Sequence, residues 1–270
     1  MAVQIAMDSG NVVGHEAPDG STELRPDLSF KRETLVNVVF LGTPSSWVLV
    51  DAGIRGSAGS IKEICAKRFG EGSRPQCIVL THGHFDHVGA LLELAEDWEV
   101  PVYAHVLEHP YLNGTLSYPS PDVWAGGGIM PLLAPLFPTS PVDVGARLRA
   151  LPTDQTVPGM PGWVWIHTPG HTPGHISLWR ESDRTIIAGD AFITTGQESA
   201  YEILVQRPEM HGPPRYFTPD WNAAKRSVEQ LAALEPDLVV TGHGQALAGP
   251  EMLKALHQLA YEFDEIATPR

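Results

Sequence analysis

The sequence predicts an α/β fold, and three observations predict it. Short apolar runs rich in β-branched residues recur along the chain, bounded by glycine, proline and aspartate turns. Segments of helical period follow several of them. Between one such run (76–80) and one such helix (88–95) stands Thr81-His-Gly-His-Phe-Asp-His-Val88, the densest group of metal-seeking side chains in the chain. A turn from a strand's carboxyl end into a helix's amino end is where open α/β sheets hold their ligands.

Taken in order, residues 1–33 alternate weak strand signals with turn chemistry such as Asp8-Ser-Gly10 and Pro18-Asp-Gly20. Residues 34–41 and 46–51 read as two strands of a hairpin around Gly42-Thr-Pro44. Asp51, at the hairpin's end, is expected to orient a neighbouring loop or a ligand histidine. An amphipathic helix over 60–69 ends on Gly70, a suitable C-cap. A strand over 100–104 comes after the His/Asp turn, and His105 and His109 beyond it fall outside any ligand pattern. Residues 110–146 then lose all regular period and collect Pro, Gly and aromatics, with an apolar run over 130–137. A long irregular segment of that apolarity suggests a flap over a site. Further strands are expected over 162–167, 175–179, 185–188 and 237–241, and a long connection over 191–217. Helices are expected over 219–234, with Thr218 or Asp220 near the N-cap, and over 250–263.

His82-x-His84-x-Asp86-His87 after a strand resembles the signature of the metallo-β-lactamase superfamily. The rest of that family's pattern follows in order: Thr168-Pro-Gly-His-Thr-Pro-Gly174, Ile186-Ile-Ala-Gly-Asp190 and Val239-Val-Thr-Gly-His243. The resemblance spans roughly residues 34–245. It implies a four-layer αββα sandwich with a metal site at the edge between its two sheets. Because the motifs run from residue 82 to residue 243, one domain over 1–270 is expected to gather them. The resemblance assigns His82, His84 and His171 to one divalent metal and Asp86, His87 and His243 to a second, bridged by Asp190. Imidazole and carboxylate without thiolate suit zinc first, with iron, manganese or cobalt as alternatives. Family members use a hydroxide shared by the two metals as nucleophile, which gives Asp86 and Asp190 catalytic weight. His175 reads as a packing or supporting residue beside the motif.

Departures from known branches set the expected chemistry. Asp190 is not usual in the β-lactamases proper, and His84 stands where the flavodiiron branch has glutamate. The chain has no long basic C-terminal region like that of glyoxalase II enzymes. Ala191-Phe-Ile-Thr194 follows Asp190 where lactonases carry a tyrosine, a role open to Tyr201 or a flap tyrosine. A dinuclear hydrolase of carboxylic esters, lactones or thioesters is the first expectation. A phosphoester or phosphotriester hydrolase and a mononuclear iron dioxygenase acting on persulfides are the alternatives. Candidate substrate contacts are Tyr111, Tyr118, Trp124, Leu133, Phe137, Phe192, Tyr201 and His211, the last read as a surface histidine. A net charge of −14, from 18 basic and 32 acidic residues, argues against nucleic acid and toward a neutral small molecule with an apolar part. No basic-apolar leader opens the chain and no run of about 20 apolar residues spans a membrane. Cys65 and Cys77 read as buried small residues with no disulfide framework, so a cytoplasmic protein, monomeric or homodimeric, is the expectation.

Overall fold

The parallel and antiparallel runs of the sequence resolve, in a computed structural model describing residues 5–120, 142–196 and 207–269, into two large sheets with helices. The described residues fall into two compact units, one built from Gly14–Tyr118 and 142–164, the other from 5–13, 119–120, 165–196 and 207–269.

The first unit carries an eight-stranded sheet whose strands lie in chain order: His15–Glu16, Thr22–Arg25, Leu28–Glu33, Val36–Thr43, Ser46–Val50, Ile78–Val79, Val102–Ala104 and Leu148–Ala150. The first five pair antiparallel, and Thr43 opposite Ser46 closes the expected hairpin. From Ser46–Val50 onward the pairing is parallel. The loops after Val50, Val79 and Ala104 therefore leave neighbouring strands at one edge. Val36–Leu41 is buried on both faces, as expected for a continuous apolar run in a covered sheet. Helices Ala58–Phe69 and Leu91–Trp98 supply Ile61, Ile64, Leu91 and Leu94 to a core shared with Phe40, Trp47 and Leu49. Trp47 stacks on Phe69, ring centroids 4.3 Å apart. Cys65 and Cys77 are both buried, as expected, and burial pushes the Cys77 thiol up to about 12.

Local details differ from expectation for physical reasons. The strand of 76–80 shortens to Ile78–Val79. The helix expected from 88 begins at Leu91, because Gly89 and Ala90 donate instead to Gly53 O and Ala52 O. A Cβ on Gly89 would lie 2.2 Å from the Arg55 nitrogen, so only glycine permits this approach. The weak signals of the first 33 residues become four strands among the described residues, three of them in this sheet and Ile5–Ala6 against Glu209–Met210, held by pairing more than by their own propensity.

The second unit holds a sheet in which Ile176–Arg180 pairs antiparallel with Thr185–Gly189, which pairs parallel with Leu238–Thr241, which pairs antiparallel with Leu247–Ala248. The end of Met160–His167 joins it on the side of Ile176–Arg180. Helix Trp221–Ala232, capped by Asp220 through the Ala223 amide at 2.9 Å, packs on helix Pro250–Tyr261. Short elements not expected within the 191–217 connection include the strand Glu209–Met210 and the turn Arg215–Phe217. Among the described residues no helix is long and apolar enough to cross a membrane.

Candidate metal centre

In the first unit the sheet's parallel edge gathers the His/Asp turn. Val50 and Val79 end neighbouring parallel strands, so Asp51 and Thr81 leave the sheet side by side. Asp51 takes a left-handed φ of 63°, a conformation aspartate tolerates better than most residues. Its carboxylate accepts from the Thr81 amide at 2.8 Å, from the Thr81 hydroxyl at 2.7 Å and from His87 Nδ1 at 2.8 Å. Asp51 thus orients His87, one of the histidines that the sequence marks as a candidate ligand. Because the Thr81 hydroxyl donates to Asp51, its oxygen is left to accept from His82 Nδ1, 3.1 Å away. Both contacts put the ring proton on Nδ1 and leave Nε2 as the donor atom for a metal. The rings of His82 and His84 lie 4.7 Å apart, those of His82 and His87 4.1 Å apart, and all three histidines and Asp86 are buried.

The second unit assembles the other three expected ligands from its own topology. Thr185–Gly189 and Leu238–Thr241 run parallel, which brings Asp190 and His243 together at their carboxyl ends. His171 precedes the antiparallel neighbour Ile176–Arg180 and so arrives at the same edge. His243 Nε2 lies 3.1 Å and His171 Nε2 3.4 Å from Asp190 Oδ2. Donors bound to one ion at about 2.1 Å stand roughly 3–3.4 Å from each other, so this spacing fits a shared cation. The Thr218 hydroxyl donates to Pro214 O at 2.7 Å and therefore accepts from His171 Nδ1 at 3.1 Å, again freeing Nε2 for a metal.

His175 holds Asp190 from behind. Its Nε2 accepts the Asp190 amide at 2.9 Å, which leaves the proton on Nδ1 to be donated to Thr168 Oγ1, also at 2.9 Å. The Ser177 hydroxyl donates to Ala188 O, so Thr168 donates in turn to Ser177. The chain of donors is ordered from end to end and keeps His175 neutral. Gly170 explains the Pro-Gly-His spacing: a Cβ there would meet the Ala224 nitrogen at 2.3 Å, and its φ of 135° excludes most other residues.

A family described as the metallo-beta-lactamase superfamily matches residues 32–243. The chain belongs to that superfamily. A probable metallo-hydrolase of Bacillus subtilis, YflN, is 47% identical over 235 residues, 86% of this chain and 89% of that protein. A hydroxyacylglutathione hydrolase of Bdellovibrio bacteriovorus is 27% identical over 181 residues, 63% of this chain and 59% of its own length. The solved structure of TTHA1623 in a di-iron-bound form is 25% identical, with a TM-score of 0.53 over 86% of this chain and 95% of that one.

The metallo-β-lactamase motifs left other residues unassigned. Glu108, fully buried after the neighbouring parallel strand Val102–Ala104, accepts from the Gly83 amide at 3.0 Å and from the Tyr118 hydroxyl. No sequence motif marks Glu108; its place just past a parallel strand's carboxyl end was the available signal. Of the candidate substrate contacts, Tyr111 and Tyr118 stack with ring centroids 3.9 Å apart, and Tyr118 stands 4.5 Å from the His84 ring. Burial, then the charge of Glu108, raises the Tyr118 phenol well above its ordinary value. Phe192 is wholly buried. His211, expected at the surface, is 1% exposed; it pairs with Ile193 in a β-bridge and its Nδ1 donates to Gly212 O at 2.8 Å. The bridge draws it inside. Trp124, Leu133, Phe137 and Tyr201, with most of the expected flap, lie outside the described residues.

Proposed function

We propose that this chain is a metal-dependent hydrolase that takes two divalent cations and cleaves carboxylic ester, lactone or thioester bonds. His82, His84 and His171 would hold one cation, Asp86, His87 and His243 the other, with Asp190 shared. The observation that carries the reading is a set of contacts: Asp51, Thr81 and Thr218 each stand within hydrogen-bond distance of a ring Nδ1, which would leave Nε2 to a metal. A histidine kept only for packing has no need of that arrangement. Bound divalent cations supply Lewis acidity that activates water and polarises a scissile carbonyl.

The residues themselves supply position and charge. Asp190 places one carboxylate between two imidazoles, and His175 fixes its backbone through the 2.9 Å amide contact. The Tyr111–Tyr118 stack offers an aromatic face beside His84, which suits a neutral substrate with an apolar part. The net charge of −14 disfavours polyanionic substrates. The hydroxyacylglutathione hydrolase among the relatives supports the thioester arm, and the di-iron structure supports iron beside zinc as the resident metal.

The test is metal analysis of the purified protein with a panel of ester, lactone, thioester and phosphodiester substrates. Two equivalents of metal and faster turnover of an acyl substrate are expected. His84→Ala and His243→Ala should each abolish hydrolysis while the far-UV circular dichroism is retained. One iron per chain, with activity indifferent to His243→Ala, would overturn the dinuclear reading.

A further inference from the structure

We propose that Glu108 is a positioning residue for the metal loop, acting on His84 through Tyr118; this rests on the metal-centre reading above. Gly83 lies between His82 and His84, and its amide is fixed from two sides. Glu108 accepts from it at 3.0 Å, and Tyr118 Oη stands at the same distance. The Tyr118 hydroxyl donates to that same Glu108 oxygen, closing a ring of three hydrogen bonds around Gly83. The Tyr118 ring crosses the His84 ring at 62°, and Tyr111 backs it with an interplanar angle of 10°. A side chain at 83 has no room, since a Cβ would lie 2.7 Å from the Tyr118 oxygen.

A hydrogen-bonded ring of this kind limits how the peptide between two ligands can tilt. Tilting the Gly83 peptide would break the amide's bond to a fully buried carboxylate and leave that acceptor short of a donor. Any swing of the His84 ring would push on a tyrosine held at its face by Tyr111 and at its tip by Glu108. The carboxylate also sets a negative charge behind the imidazoles, which favours a cation at their ring nitrogens. Glu108 therefore has two effects on the metal loop, one geometric and one electrostatic.

Two conservative variants separate these effects. Glu108→Gln keeps an oxygen able to accept both bonds and removes the charge. Tyr118→Phe keeps the ring against His84 and removes the hydroxyl. Zn²⁺ affinity is read by competition with a chromophoric chelator, the Co²⁺-substituted absorption spectrum reports ligand geometry, and thermal unfolding of the metal-free protein reports fold. Glu108→Gln should weaken one of the two bound ions about tenfold, the range found for groups that support ligands. Tyr118→Phe should shift the cobalt bands, and the double variant should lose less affinity than the product of the two single losses, because both act through one ring of bonds. Variants that bind both ions within twofold of the parent, with unchanged cobalt bands, would overturn the proposal even if metal-free stability fell, since a merely structural pair would do only that. A parent protein that takes up no metal would instead sink the metal-centre reading, and this proposal with it.

Discussion

The histidines of the two ligand groups differ in what holds their tautomer. His87 has a carboxylate, Asp51, on Nδ1, whereas His82 and His171 reach neutral threonine oxygens whose own protons are committed elsewhere. Asp51 is the more exacting partner because it accepts from three donors. Asparagine at 51 could keep the left-handed φ but would offer one accepting oxygen and an amide that opposes a donor. We expect Asp51→Asn to weaken metal binding 10–100-fold and to lower metal-free stability by about 1–3 kcal/mol. Chelator competition and urea unfolding measure the two; unchanged affinity would mean the His87 tautomer is set by other contacts. A second carboxylate, Asp19, stands outside the four motifs. Burial pushes its acid up, but the Ser21 hydroxyl and amide and the Arg68 guanidinium outweigh this and hold it below its ordinary 3.8. A lowered acid contributes stability that is whole above the unfolded value and is lost as pH falls through the folded one. Asp19→Asn should therefore destabilise the protein near pH 7, and the gap from the parent should close as pH drops below about 4. Urea titrations across that range would show a constant gap if the carboxylate charge played no part.

At the scale of elements, the loop 168–174 is set by how closely helix Trp221–Ala232 approaches it. Ser227 donates to Pro169 O at 2.7 Å, Asp220 N to Gly170 O at 3.3 Å, and the Ala224 backbone fills the space a side chain at 170 would need. Gly170→Ala should cost about 3 kcal/mol or more, overpacking added to backbone strain. It should also displace His171, so metal affinity should fall along with the melting temperature. A stable variant with parental metal affinity would show that the helix can retreat without moving the loop. This contact could not be read from the sequence, because Gly170 and Ala224 are 54 positions apart and nothing local links them. The hairpin ending on Asp51 could, since two β-branched apolar runs and a Gly-Thr-Pro turn are local signals. The four ligand motifs were legible for the same reason, each being a strand end followed by its ligand. Glu108, Thr218 and Thr168 were not, because their roles come from parallel pairing and loop packing. The start of helix Leu91–Trp98 also depended on distant backbone, the Ala52–Gly53 carbonyls, so periodicity placed it one turn early.

At the scale of the whole molecule, the seven expected ligands are divided by the chain's own organisation: four belong to the unit of Gly14–Tyr118, three to the unit that includes Trp165–Arg270. Any ion that binds the folded protein and not the unfolded chain adds RT ln(1 + [L]/Kd), about 2.7 kcal/mol at a hundredfold excess over Kd. For a chain of this size each kcal/mol moves Tm by roughly 2–4 °C, so saturating Zn²⁺ should raise Tm by about 5–10 °C over the chelated protein. Asp190→Asn is the decisive variant, because a neutral amide cannot offset two cations as a shared carboxylate does. It should bind at least one ion more weakly, reduce the Zn²⁺-dependent rise in Tm, and lower kcat more than it raises KM. A parental Tm rise in Asp190→Asn, with both ions retained, would show that the carboxylate is not shared between them.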